Sequence, residues 1–132
     1  MEILLITSDN LLRDQVKVGL QQFLEFRVTC GESFPGVNML RTVDCEFVFL
    51  ELGDSTRDCL TQLRHLRSFD RTVEVIALAD DRVIRDLGRE KQRHGINAFL
   101  RKPLDVSEFF RLVARLRARR EESEVVETTP RR

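Results

Sequence analysis

The residues best placed for chemistry in this sequence stand where apolar runs stop. Phe47-Val48-Phe49-Leu50 ends on the carboxylate of Glu51, two residues before the breaker Gly53. Ile3 to Ile6 ends on Thr7-Ser8-Asp9-Asn10, and Ile96 to Leu100 runs into Arg101-Lys102-Pro103. Short apolar runs with turn signals behind them read as strands buried on both faces, as in parallel sheets. In an open α/β sheet the carboxyl ends of the strands form the edge where ligands bind. Glu51 and whatever it meets at that edge therefore make the candidate site. Asp54, on the loop just behind, is the one further carboxylate there able to accept a phosphoryl group, and beside Gly53 it also reads as a plain turn residue. Asp9 reads as a helix N-cap, as do Asp80 and Asp81. His65 and His94 lack metal-ligand spacing and any Ser, Cys or Asp partner at a motif distance, and read as solvated helix residues. No Gly-rich phosphate loop is present, and with no Trp or Tyr the case for a flavin or other bound cofactor is weak.

The elements that must position these groups follow from periodicity. After the Ile3–Ile6 strand, Leu12, Val16, Leu20 and Phe23 recur at helical spacing. Phe26, Val28 and Cys30 alternate as a brief strand, and Gly31, Pro35 and Gly36 break the chain before a short helix near Val37 to Arg41. Behind the Phe47–Leu50 strand, Cys59, Leu60, Leu63 and Leu66 mark a helix ending near Ser68. Val73 to Ala79 is a fourth strand, and Val83, Ile84 and Leu87 lie on a charged helix that stops at Gly95. A fifth strand, Ile96 to Leu100, precedes a last helix that Asp105 and Glu108 can cap and that buries Phe109, Phe110, Val113 and Leu116. Five strands alternating with five helices require right-handed crossovers and a parallel sheet covered on both faces. The expected fold is a flavodoxin-like (βα)5 doubly wound α/β sandwich with strand order 2-1-3-4-5. Residues 1–118 form the domain, and 119–132 read as a charged, disordered tail or linker.

Bulk properties exclude several classes. Lys plus Arg number 22 and Asp plus Glu 22, so no net charge draws the chain to nucleic acid or membrane. Without a signal peptide or a membrane-length apolar run, a soluble cytoplasmic protein is expected. Cys30, Cys45 and Cys59 are odd in number and sit in apolar surroundings, which suits reduced packing thiols rather than disulfides or a metal site.

Over roughly residues 2 to 118, the pattern resembles the receiver domains of two-component response regulators. The match is carried by Ile3-Leu4-Leu5-Ile6 leading through Asn10-Leu11-Leu12-Arg13, and by Gly95-Ile96-Asn97-Ala98-Phe99-Leu100-Arg101-Lys102-Pro103-Leu104. The second stretch is similar to the family's Gly-Ala…Tyr…Lys-Pro segment, whose Lys-Pro peptide is typically cis. The resemblance implies phosphoryl transfer from a histidine kinase to an aspartate at the end of the third strand. Mg²⁺ assists, held by that aspartate, a backbone carbonyl and an acidic pair after the first strand. A lysine pairs with the phosphoryl oxygens, and a hydroxyl at the end of the fourth strand closes on them.

Carried onto this chain, the acceptor position falls on Glu51, the acidic pair on Thr7 and Ser8, the switch hydroxyl on Ala79 and the output aromatic on Phe99. Lys102 alone is retained. Neutral Thr7 and Ser8 lack the charge that desolvates Mg²⁺, although Asp9 lies one residue on. The expectation is a non-enzymatic pseudo-receiver without metal or cofactor, acting through a protein partner or a fused effector domain. Glutamate reaches about 1.5 Å further than aspartate. A permanent Glu51–Lys102 pair could therefore hold one conformation, the plain alternative being two solvated groups. By the same resemblance, the fourth helix, fifth strand and fifth helix would form the partner or homodimer surface, with Phe99, Arg101, Arg111 and Arg115 on it. Two other readings stand beside this one: phosphorylation at Asp54 or at an Asp9-assisted Glu51, and small-ligand binding in the strand-end cleft.

Overall fold

Each apolar run becomes a strand of one sheet. The computed structural model describes residues 1–32, 38–41 and 44–128. Strands β1 (Glu2–Ile6), β2 (Arg27–Gly31), β3 (Phe47–Glu51), β4 (Glu74–Ala79) and β5 (Ala98–Arg101) pair in the order β2-β1-β3-β4-β5, every pair parallel. This is the expected doubly wound order. Side chains alternate across each strand, and the two sets pack under different helices. Ile3, Leu5, Phe47, Phe49, Ile76, Leu78 and Leu100 meet the apolar stripes of helices α1 (Asn10–Gln21) and α4 (Val106–Thr128). Leu4, Ile6, Val48, Leu50, Val75, Ala77 and Ala79 meet helices α2 (Thr56–Phe69) and α3 (Asp81–Leu87).

Three of the five expected helices differ from the sequence reading. The second is a 3₁₀ turn, Asn38–Arg41. Four residues are too few to repay α-helix nucleation. Pro35, Gly36 and Val37 lie outside the described residues. The fourth, α3, stops at Leu87 rather than running to Gly95, because Gly88 there favours helix poorly and the backbone tightens into a 3₁₀ turn, Gly88–Glu90. The last, α4, is helical to Thr128, so backbone assigned to a disordered tail is regular up to that point. The Arg and Glu residues of 119–124 are good helix formers. Leu116 is the last buried residue among the described side chains of α4.

The turn into β5 is fixed by one arginine. Arg67, at the end of α2, donates to the carbonyls of Val73 (2.7 Å), Gly95 (2.5 Å) and Asp70 (3.3 Å), joining the segments that enter β4 and β5. Gly95 has a φ of 76°, and a Cβ there would lie 2.6 Å from Arg67 Nε. Both features exclude larger residues. Gly95→Ala should therefore cost about 1–3 kcal/mol in urea unfolding, through backbone strain and a displaced Arg67.

All three cysteines are free thiols. Burial, with a smaller contribution from nearby carboxylates, pushes the Cys45 thiol up to about 11. Burial likewise raises Cys59 to about 11, against an opposing pull from Lys102. Both are protonated at neutral pH, and only thiolates react readily. A disulfide reagent at pH 8 should leave Cys45 and Cys59 unmodified in the native protein, half-exposed Cys30 reacting first, and should titrate all three after denaturation.

Candidate functional site

Register puts the candidate residues side by side before any side chain is considered. Ile6 pairs with Leu50, so the next residues, Thr7 and Glu51, are neighbours at the carboxyl edge. Glu51 pairs with Leu78 of β4, and Leu78 with Leu100 of β5, so Lys102, two residues beyond Leu100, alternates onto the same face. Strands lie about 4.8 Å apart, so Lys102 must reach across the end of β4 to meet β3. Its backbone N–H donates to Ala79 O at 2.9 Å, anchoring the start of that reach.

The side chains close the arrangement. Lys102 Nζ donates to Glu51 Oε2 at 3.1 Å and to Leu52 O at 3.2 Å. Thr7 Oγ1 donates to the other carboxylate oxygen, Glu51 Oε1, at 2.6 Å. Thr7 is 4% exposed, and the Glu51 and Lys102 side chains are 17% and 21% exposed, so water screens this cluster only partly. The Thr7 oxygen in turn accepts the Asp9 backbone N–H at 3.0 Å, while Asp9 Oδ1 accepts from Leu12 N at 3.0 Å as the N-cap of α1. From β1 to α1 the backbone is thus tied to the Glu51 carboxylate through one hydroxyl.

Behind Glu51, Gln62 fixes the loop. Its Oε1 accepts from Gly53 N at 3.1 Å, its Nε2 donates to Glu51 O at 3.4 Å, and Cys59 Sγ meets Gly53 O at 3.1 Å. Sequence reasoning missed Gln62. Its signal was a polar residue on the inward face shared by Cys59, Leu63 and Leu66, a place where an unpartnered amide is costly to bury.

The other singled-out residues fall elsewhere. Ser8 and Asp54 are exposed, and Ala79 is fully buried among the side chains under α2 and α3. Asp80 caps α3 through Val83 N at 2.9 Å, whereas Asp81 is not the cap and lies 3.6 Å from Arg101. His65 and His94 are both half-buried, correcting their reading as solvated helix residues. His65 packs edge-on against Phe69, and His94 sits in the turn before β5, 3.7 Å from Glu90. Phe99 is half-buried against the α2/α3 side, and Arg101 is exposed at the edge strand. Arg111 and Arg115 are exposed on α4, the helix that follows, so two of the four lie on the edge strand and two on that helix. Arg117 is no free surface charge: it lies 4.5 Å over the Phe23 ring and pairs with Glu25.

As a donor set for Mg²⁺, these residues do not fit. The ion favours several hard anionic oxygens. Thr7 is neutral and spends its proton on Glu51, while Asp9 is turned to the helix cap. Among the described residues, no three His, Cys, Asp or Glu side chains converge as a metal site. The Lys102–Pro103 peptide is cis.

No protein-family model and no curated protein matches this sequence. Solved structures that share its fold include the REC domain of AraT, a response regulator from Geobacillus stearothermophilus. It superposes with a TM-score of 0.74 at 16% identity, over 93% of this chain and 97% of that one. The Vibrio cholerae chemotaxis response regulator CheY4 matches with a TM-score of 0.71 at 13% identity, over 86% of this chain and 96% of its own. Brucella abortus NtrX matches 97% of this chain, with a TM-score of 0.75 at 17% identity, although the match spans only 29% of that longer chain. The fold is therefore that of receiver domains.

Thr7→Val removes a donor to a carboxylate and orphans the Asp9 N–H, and should cost about 1.5–3 kcal/mol in urea unfolding. A Glu51→Gln, Lys102→Met double-mutant cycle should return a favourable coupling of about 1–2 kcal/mol, above the range of exposed pairs.

Proposed function

We propose that this chain is a receiver-like signalling domain that acts through protein–protein contacts in a fixed conformation, with Glu51 in place of a phosphoacceptor aspartate. The observation that carries this reading is the state of the Glu51 carboxylate: Oε1 is taken by Thr7 and Oε2 by Lys102. An attacking carboxylate needs a free oxygen and a cation that lets an anionic phosphoryl group approach. Here both oxygens are engaged by donors from the chain itself. The lysine that would meet phosphoryl oxygens meets the side chain of Glu51 instead. With Ala79 in the switch position, no hydroxyl distinguishes two states, so nothing at this edge would couple modification to a conformational change.

The domain is, on this reading, non-enzymatic and cytoplasmic, and no helix among the described residues is long and apolar enough to cross a membrane. Its output passes to a protein partner, a fused effector domain or a second copy through α3, β5 and α4, where Phe99, Arg101, Arg111 and Arg115 supply the exposed charge and the aromatic. Phosphorylation at Asp54 or at an Asp9-assisted Glu51 has less support, since Asp9 is committed as a cap and Asp54 stands exposed on the loop.

Incubation with acetyl phosphate and Mg²⁺, followed by intact-mass measurement, should give no phosphoryl adduct, and beryllofluoride should leave the amide NMR spectrum unchanged. A stoichiometric adduct on the natural sequence would overturn the reading. Measurable Mg²⁺ binding should appear when Thr7→Asp, Ser8→Asp and Glu51→Asp are combined, and not with Glu51→Asp alone.

A further inference from the structure

A strongly cationic concavity lies at the opposite end of the sheet from Glu51. It is an open groove of about 1240 Å³ between the C-terminal half of α2 and the 90–97 segment that leads into β5. Arg64, Arg67, Arg71, Lys91, Arg93 and Arg119 line it, and Glu90 is its one carboxylate. The cations are not equivalent. Arg67 is spent on backbone carbonyls, Arg93 lies 3.4 Å from Glu90, and Arg119 lies 2.8 Å from Glu74. The side chains of Arg64, Arg71 and Lys91 make no hydrogen bond or ion pair with another described residue. Gathering like charges in a concave site raises the local potential and costs stability unless an anion relieves it.

We infer that this groove docks an acidic peptide segment of a partner protein. Three features favour that occupant. The volume exceeds the roughly 300–1,000 Å³ of small-molecule sites, which points to a chain segment rather than a compact ligand. The whole protein is neutral, with 22 basic and 22 acidic side chains, so the surface outside the groove carries the compensating carboxylates. A polyphosphate backbone would meet those carboxylates along its length, whereas a short acidic segment meets only the groove. Between the cationic walls lie Leu60, Leu63 and Ile96, of which Leu60 is half-exposed, so apolar side chains interspersed among the acidic ones have somewhere to rest. The guanidinium forks of Arg64 and Arg71 match carboxylates in bidentate geometry. This surface is separate from the Glu51 edge and does not depend on how that edge works.

The test is fluorescence anisotropy in low salt with a labelled decapeptide of eight Glu and two Leu, against the same peptide with Lys for Glu. Saturable binding of the acidic peptide alone is expected, weakened at least tenfold in the Arg64→Gln, Arg71→Gln, Lys91→Gln triple variant. Arg111→Gln, Arg115→Gln should bind as the natural sequence does, and circular dichroism verifies that each variant is folded. No saturable binding, or equal binding by the triple variant, overturns the proposal. So does tighter binding of single-stranded DNA or pyrophosphate that depends on the same three residues. Self-association abolished by the triple variant would likewise overturn it, by assigning the groove to the acidic 121–127 stretch of a second copy.

Discussion

A single carboxylate at the end of a buried strand governs how this sheet terminates. Glu51 cannot leave its strand, because β3 is the central strand and its neighbours fix it on both sides. Only partly screened by water, its charge must be met by donors from the protein. Lys102 supplies the compensating cation and Thr7 the second donor, at 3.1 Å and 2.6 Å. One comes from the loop after β5 and the other from the end of β1, so the pairing spans four of the five strands. The carboxyl edge of the sheet is thereby cross-tied by side chains where its backbone ladders end.

That cross-tie explains why the surrounding loops are built as they are. Thr7 donates to Glu51 and accepts from Asp9, and Asp9 caps α1, so the first crossover is keyed to the same charge. Gln62 holds Glu51 and Gly53, on either side of Leu52, in the turn that presents the Leu52 carbonyl to Lys102. Each of these groups is satisfied locally, and among the described residues no buried side-chain polar atom lacks a partner. At this edge the donors that meet the Glu51 carboxylate both come from the chain itself. The same donors in a receiver with aspartates at the Thr7 and Ser8 positions would face uncompensated negative charge, the situation a divalent cation resolves.

Several features were legible from residue types because they depend on local physics. Period-two and period-3.6 apolar patterns gave the strands, α1 and α2, since burial of one face or both is what stabilises those elements. Asp9, Asp80 and Asp105 read correctly as caps, because a short carboxylate before a helix satisfies free N–H groups three residues on. What failed was length. The short helix before β3 and the helix before Gly95 both became 3₁₀ turns in part, because sequence pattern marks a helical tendency without weighing nucleation or a glycine inside it. The last helix ran on past its apolar stripe because helix propensity acts on backbone whether or not an apolar period continues.

The residue pattern by itself determined the architecture and the identity of the residues at the sheet's carboxyl edge, because alternation and turn chemistry are written in neighbouring positions. It determined that Thr7, Ser8 and Ala79 bring no negative charge to that edge. Only the tertiary structure decided that Glu51 is neutralised rather than solvated. That outcome depends on Lys102, 51 positions away, reaching across β4, on Thr7 standing in register with β3, and on Gln62 closing the loop from α2. It likewise decided that cations scattered from Arg64 to Arg119 converge on one groove at the far end. Distances between residues remote in the chain are set by strand order and register, and no local pattern encodes them.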